Sequence, residues 1–452
     1  MAKTFELTSG NPRTQILRFT LPVLMGNILQ QTYALCDAAI VGRFLGINAL
    51  ASVGASASVV FLILGFCSGC SSGFGIPVAQ KYGAEDYVSM RGFISSGYRL
   101  GAIISVSLAV ITCLLCAHIL RWMRTPQNII DDAYIYLLIT FIGIPFTFFY
   151  NLLASILRAV GDSKTPFYFL LLATVLNIAL DLFCILALGW GVLGAGVATV
   201  FSQALSMMLC YIYMYKRHGS LITRREGEEK FSPRKARTLL GVGVPMGLQF
   251  SITAIGNIML QSANNALGTA CVAAFTAALR VKMFVIAPFE SLGMAMATYA
   301  GQNYGAGKPS RIWQGVRQAE LLMMVYALTM FSVIMLFSEE FCMMFISSGE
   351  TEVIALAAQY LHTCSYFYPF IGTLCILRYT LQGVGYTGLA LGSGISEMLA
   401  RTAVSLLAVP VWGYTAVCFG DPMAWTAAAL FLMPAAWWTS CRIKRKFSQA
   451  YS

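Results

Sequence analysis

Asn177 and Asp181 stand four residues apart in the apolar stretch 165–188, TPFYFLLLATVLNIALDLFCILAL. As a helix, that stretch is long enough to cross a ~30 Å hydrocarbon core. The spacing puts an amide and a carboxyl on one face, a turn apart. A carboxylate at that depth costs several kcal/mol and persists only with a partner, a proton or a bound cation. Two readings stay open from this pair: an acid kept protonated within a helix bundle, or a site that takes up H⁺ or a metal cation. A second set lies near the start of the chain, where Gln30, Tyr33 and Asp37 share a helix face. Thr199 adds a hydroxyl two turns into a later apolar stretch. If the helices alternate in direction, Asp37, Asp181 and Thr199 meet at one depth in the outer half of the first bundle. Two carboxylates, an amide oxygen and a hydroxyl make an all-oxygen shell suited to a hard cation. Two close carboxylates also repel, which favours a proton held between them. The same cluster suits Na⁺ or H⁺, and composition does not choose.

The elements that must position these groups are transmembrane helices. The 452 residues are 58% hydrophobic and 11% charged, against roughly 25% charged in a soluble domain. Apolar windows give twelve segments, at about 14–41, 50–79, 93–119, 133–157, 166–188, 192–215, 237–263, 271–300, 313–337, 353–380, 388–411 and 424–441. No cleavable signal peptide is expected, because the first apolar segment is too long and no small-residue cleavage site follows. The net charge of +11 sits mainly in loops and tails beside the segments. That suits an anionic membrane leaflet rather than nucleic acid. The basic stretch 216–237 reads as a cytoplasmic linker, and the tail Arg442, Lys444, Arg445 and Lys446 is basic too. With an even number of spans both termini are then cytoplasmic. Arg43, Arg121 and Arg124 fall in expected outer loops and weaken the bias without reversing it.

The chain repeats itself. Gln80-Lys81-Tyr82-Gly83-Ala84 recurs as Gln302-Asn303-Tyr304-Gly305-Ala306, Leu45-Gly46 as Leu267-Gly268, and Pro145-Phe146 as Pro369-Phe370. Gly161 and Gly385 follow that last pair at equal distance, and Pro22 and Pro245 interrupt the first helix of each half. The expected architecture is all-α, with twelve transmembrane helices in two parallel six-helix repeats around a central cleft. The bundles are expected at 1–216 and 237–452, joined by the linker 217–236. This is transporter architecture and disfavours a simple channel; no nucleophile, base or metal pattern suggests an enzyme.

The second half lacks the acid set. At the repeat offset Asn177 and Asp181 become Arg401 and Ser405, and Asp37 falls near Met259 and Leu260. Arg280, Lys282, Glu290, Glu397 and Arg401 form a second candidate polar network, with Arg378 nearby. Glu397 and Arg401, at i and i+4, read as a structural ion pair or as a polar wall.

Taken together, Pro22 with Asp37-Ala-Ala-Ile-Val-Gly-Arg43, the loop Tyr82-Gly83-Ala84, the junction Arg158-Ala-Val-Gly-Asp-Ser-Lys-Thr-Pro166 and the Asn177 to Asp181 spacing resemble the multidrug and toxic compound extrusion (MATE) family over nearly the whole chain. The resemblance implies a twelve-helix antiporter in a cell membrane, expelling cationic or amphiphilic compounds against H⁺ or Na⁺. No cofactor and no metal beyond Na⁺ are implied, nor any nucleic-acid partner, and a monomer is expected. It implies a cation site at Tyr33, Asp37, Asn177, Asp181 and Thr199, and a bend at Pro22. Another branch uses acids in the seventh and tenth helices; here those helices carry Gln249, Asn257, Gln261 and Arg378. The alternative within the wider superfamily is a flippase for a lipid-linked glycan or related amphiphile, which a basic cavity would favour.

Weaker signals read as packing. Gly65, Gly69 and Gly73 form a small-residue ladder that contains Cys67 and Cys70. The thirteen cysteines are scattered in apolar segments and are expected to be reduced. His118, His218 and His362 share no ligand spacing.

Overall fold

The computed structural model describes residues 6–123, 125–223, 225, 228, 231–346 and 349–450. Arg124 and several linker positions lie outside the described residues. The described chain is helical. The first half runs α1 Pro12–Leu45, α2 Ile47–Gly83, α3 Tyr87–Trp122, α4 Ile130–Ile142, α5 Ile144–Ala159, α6 Lys164–Leu182 and α7 Gly191–Ile222. The second runs α8 Pro233–Asn265, α9 Thr269–Gly305, α10 Pro309–Met343, α11 Thr351–Ser365, α12 Tyr368–Gly383, α13 Thr387–Ala403, α14 Val409–Trp412, α15 Tyr414–Cys418 and α16 Gly420–Ala450. A π-helical turn extends α6 through Phe183–Ala187, and another extends α13 through Val404–Ala408.

Nine of the described helical stretches are long and apolar enough to cross a membrane by themselves. The expected fourth segment is broken rather than straight: α4 and α5 meet at 44° beside Gly143. Pro145 in the first turn of α5 has no N–H to continue the preceding helix, which is why the break falls there. Pro369 lies in the first turn of α12 in the same way, just after the end of α11 at Ser365. The final span is also interrupted, with α15 preceding α16.

The same connections recur in both halves. Gly46 and Gly268 enter α2 and α9 with φ of 87° and 107°, a conformation that side chains with a Cβ rarely adopt. Gly161 pairs with Gly385, and Gly191 with Gly413, in the same left-handed region. Packing recurs too: α2 lies on α5 as α9 lies on α12, and α6 on α7 as α13 on α16.

The chain forms two compact units whose boundaries lie inside helices. Unit 1 contains Met25–Gly247, and unit 2 contains Leu7–Leu24 with Leu248–Ser452. Unit 1 therefore includes the expected linker and the first part of α8, while the first part of α1 belongs to unit 2. Burial agrees with this division. Ala236 and Leu239 of α8 join the core cluster of unit 1; Ile16, Phe19 and Val23 of α1 join that of unit 2. Each crossover falls two residues after a proline, Pro22 in α1 and Pro245 in α8.

The segments leading into those two helices are fastened by arginines. In unit 2, Arg311 donates to the carbonyls of Ser9 (2.9 Å) and Gly10 (2.8 Å) and to Gln15 Oε1 (3.0 Å). In unit 1, Arg91 Nε donates to both carboxylate oxygens of Glu228 at 3.0 and 2.9 Å. These hydrogen bonds from Arg91 hold the Glu228 carboxyl at about 2, well below the usual carboxylate range.

Candidate functional site

The sequence-expected site residues of the first half come together inside unit 1. Tyr33 and Asp37 project from α1 after its crossover, Asn177 and Asp181 from α6, and Thr199 from α7. The tyrosine hydroxyl and Thr199 Oγ1 lie 3.1 Å apart. Asn177 Nδ2 donates to the same Oγ1, also at 3.1 Å. The hydroxyl of Thr199 thus ties α1 and α6 to α7. The carboxyl groups of Asp37 and Asp181 are within hydrogen-bonding reach of each other.

The burial is severe. Asp181 is 0%, Asn177 2% and Asp37 9% exposed. Asp37 Oδ1, Asn177 Oδ1 and both carboxylate oxygens of Asp181 are enclosed without a hydrogen-bond donor. A buried acceptor left unmade costs about 1–3 kcal/mol, and more when it is charged. Among the described residues no Lys, Arg or His pairs with either acid. Four unmet oxygens facing a region with two carboxyls fit a hard monovalent cation or protons as occupants. No group of three or more His, Cys, Asp or Glu suited to a metal ion occurs among the described residues.

Sequence reasoning passed over Tyr136. On α4, it lies close enough to interact with both Asp37 and Asp181. A tyrosine in an apolar segment reads as packing, and the signal that singles it out is the repeat: Tyr360 stands at the same distance before Pro369 as Tyr136 does before Pro145. The π-helical turn beginning two residues after Asp181 was not visible either. Such turns are frequent at functional sites.

Unit 2 holds a different arrangement. Glu397 of α13 pairs with Arg401 at 3.3 Å, as the i, i+4 spacing suggested, but it also pairs with Arg378 of α12. Arg401 Nε in turn donates to Asp421 Oδ1 at 2.9 Å. Asp421, at the start of α16, also takes hydrogen bonds from Lys282 of α9 and Tyr360 of α11. Arg378 Nε donates to Ser393 Oγ at 2.9 Å. Arg378, Glu397, Arg401 and Asp421 are all buried. Two of the expected members stand outside this chain of bonds. The Arg280 guanidinium lies 6.0 Å from the Phe345 ring centre, and Glu290 is exposed and near enough to Arg378 to interact with it electrostatically. Asp421 escaped notice because it precedes the apolar window at 424–441 and reads as loop.

The remaining signals are structural. A Cβ on Gly73 would lie 2.6 Å from Gly243 Cα, so the glycine ladder ends where α2 meets α8 backbone to backbone. Cys67 and Cys70 are buried free thiols. His218 Nε2 lies 3.5 Å from Asp162, and His362 shares a 2.7 Å hydrogen bond with Ser338.

Comparison with known proteins is consistent across sequence and structure. The family model MatE matches residues 22–183 and 245–407, one match in each half. The probable multidrug resistance protein YpnP of Bacillus subtilis is 31% identical over 385 residues, covering 85% of each chain. The probable multidrug resistance protein YoeA of the same organism is 30% identical over 401 residues, 87% of this chain and 83% of that one. A solved structure described as the outward-facing conformation of a multidrug resistance MATE family transporter of the MOP superfamily superposes with a TM-score of 0.92. It is 24% identical and covers 98% of this chain and 99% of its own; at that identity the likeness speaks to the fold.

Proposed function

The chain belongs to the MatE family of membrane transporters, and from that premise we propose that it is a cation-coupled antiporter that exports cationic and amphiphilic compounds. The observation that carries the coupling is the set of unmet buried oxygens on Asp37, Asn177 and Asp181. A site of this kind has two states of comparable cost: charged and metallated, or protonated. An ion gradient can therefore drive it from one to the other. H⁺ and Na⁺ both suit the donors.

Uptake of the cation removes repulsion between Asp37 and Asp181 and redraws what the later part of α1 must contact. Because α1 begins in unit 2 and passes Pro22 before entering unit 1, a change of bend at the proline carries that rearrangement beyond the ion site. Alternating access follows if the two arrangements of α1 accompany opposite openings of the cleft expected between the repeats. On this reading the transporter works in the cell membrane as a monomer, with both termini cytoplasmic. No cofactor enters the cycle.

The flippase reading needs a basic wall for a polyanionic headgroup. Two of the three cations that suggested one are tied to acids: Lys282 and Arg401 pair with Asp421, and Arg401 also pairs with Glu397, whereas Arg280 lies over the Phe345 ring. This favours export of cations and amphiphiles. Expression in a drug-sensitive host, challenged with a panel of cationic dyes and antibiotics, tests the function. Raised tolerance and energy-dependent dye efflux are expected; no gain against any compound, at verified membrane expression, would refute the export reading.

A further inference from the structure

The ion network of unit 2 occupies the position that the acid pair occupies in unit 1. The repeat landmarks fix the correspondence. Thr199 follows Gly191 at the distance at which Asp421 follows Gly413, and both glycines have left-handed backbone. Tyr136 and Tyr360 precede Pro145 and Pro369 equally. Counted from Gly161 and Gly385, Asn177 corresponds to Arg401 and Asp181 to Ser405. Counted from Pro22 and Pro245, Tyr33 corresponds to Gly256 and Asp37 to Leu260.

The substitutions are complementary rather than random. Where unit 1 has Tyr33, unit 2 has a glycine, and a Cβ there would already lie 3.4 Å from Arg401 Cδ and 3.6 Å from its Nη1. The space of the tyrosine ring is used by the arginine. The acid of α1 is replaced by Leu260, buried at 1% exposure. The carboxylate moves to α16, as Asp421 in the place of Thr199, and the position corresponding to Tyr136 keeps a tyrosine, Tyr360, bonded to that carboxylate. The site of unit 1 thus has two carboxyls with unmet oxygens and, among the described residues, no paired base, whereas each acid of the unit 2 network has two cations.

We propose that Arg401 is a tethered cation: its guanidinium does permanently in unit 2 what the exchangeable cation does in unit 1. Unit 2 is then held in the cation-filled condition throughout the cycle, and ion exchange is confined to unit 1. This inference rests on the cation reading of unit 1.

Two variants of the full-length protein test it, with thermal melting in detergent and gradient-driven dye efflux from proteoliposomes as readouts. Arg401→Ala opens a guanidinium-sized gap between Glu397 and Asp421. Its melting temperature should fall by roughly 5 °C or more. Millimolar guanidinium chloride should restore at least half of the loss, potassium chloride at equal ionic strength should not, and the wild type should respond to neither. A folded variant that guanidinium does not rescue would overturn the proposal. Asn177→Arg makes the reverse exchange in unit 1, and it decides the matter if the first variant does not fold. It should express and fold, lose gradient-driven efflux, and lose the dependence of melting on Na⁺ or pH that the wild type shows. Wild-type efflux or an unchanged ion response in Asn177→Arg would also overturn it. The failures are distinguishable: a wild type whose melting and efflux ignore both Na⁺ and pH would contradict the cation reading of unit 1 itself.

Discussion

Asp37 and Asp181 leave three enclosed carboxylate oxygens without a donor, and Asn177 adds a fourth oxygen. Among the described residues their surroundings supply hydroxyls and amides but no base, which supports the proposal that H⁺ or a cation from outside fills the site. Thr199 organises this shell, because Tyr33 and Asn177 both bond its hydroxyl. Thr199→Val keeps the shape and removes that oxygen. It should raise the Na⁺ or H⁺ concentration for half-maximal transport about tenfold, the equivalent of roughly 1.4 kcal/mol; an unchanged concentration dependence would remove Thr199 from the site. In unit 2, Arg378→Ala strands Glu397 beside a single remaining cation. Because Arg401 stays on Glu397, a loss of about 1–3 kcal/mol is expected, seen as a lower melting temperature than for a surface arginine variant. Much of the first site was legible from residue type and spacing, since a polar residue is conspicuous in an apolar window. Tyr136 and Asp421 were not: one looks like aromatic packing, the other like a loop. The Glu397–Arg401 spacing revealed one link but not that both residues have further partners, because those come from α12 and α16 and are local to nothing in the sequence.

At the scale of elements, α1 and α8 differ from the other long helices in crossing between units just beyond a proline. The two prolines were legible in the sequence. The crossovers were not, because apolar periodicity marks a helix as buried without saying which bundle buries it. Pro22→Ala restores the missing backbone bond and stiffens α1. Dye binding should stay near wild type while turnover slows, and an unchanged turnover rate would show that Pro22 is not a hinge. The lead-in to α8 gives a separate test. Arg91 holds Glu228 at about 2, so the folded value is depressed. The contribution of the contact is fully present above the unfolded carboxyl value, ~4.3, and is lost as pH falls through about 2. Glu228→Gln should mimic that loss at neutral pH, with faster proteolysis near the linker. Cleavage at the wild-type rate would mean that the arginine does not fasten it. The broken span at Gly143 shows the other limit of window reading: averaged hydropathy smooths over a proline-initiated restart.

For the whole molecule, the duplicated frame and the unlike chemistry of its halves are the main result. Repeated glycines, prolines and loop motifs made the twelve-helix frame legible, because a turn needs particular backbone conformations wherever it recurs. The division of charge was harder to see: unit 1 leaves its acids unmet, while unit 2 closes its acids with arginine and lysine. On the proposed reading, transport is driven by cation exchange at Asp37 and Asp181. The most direct measurement is dye efflux from proteoliposomes under imposed pH or Na⁺ gradients, comparing the wild type with Asp37→Asn and Asp181→Asn at equal incorporation. The wild type should respond to at least one gradient, and each variant should bind dye, melt as a folded protein and fail to couple. Gradient-driven efflux at the wild-type rate in both variants would contradict the account.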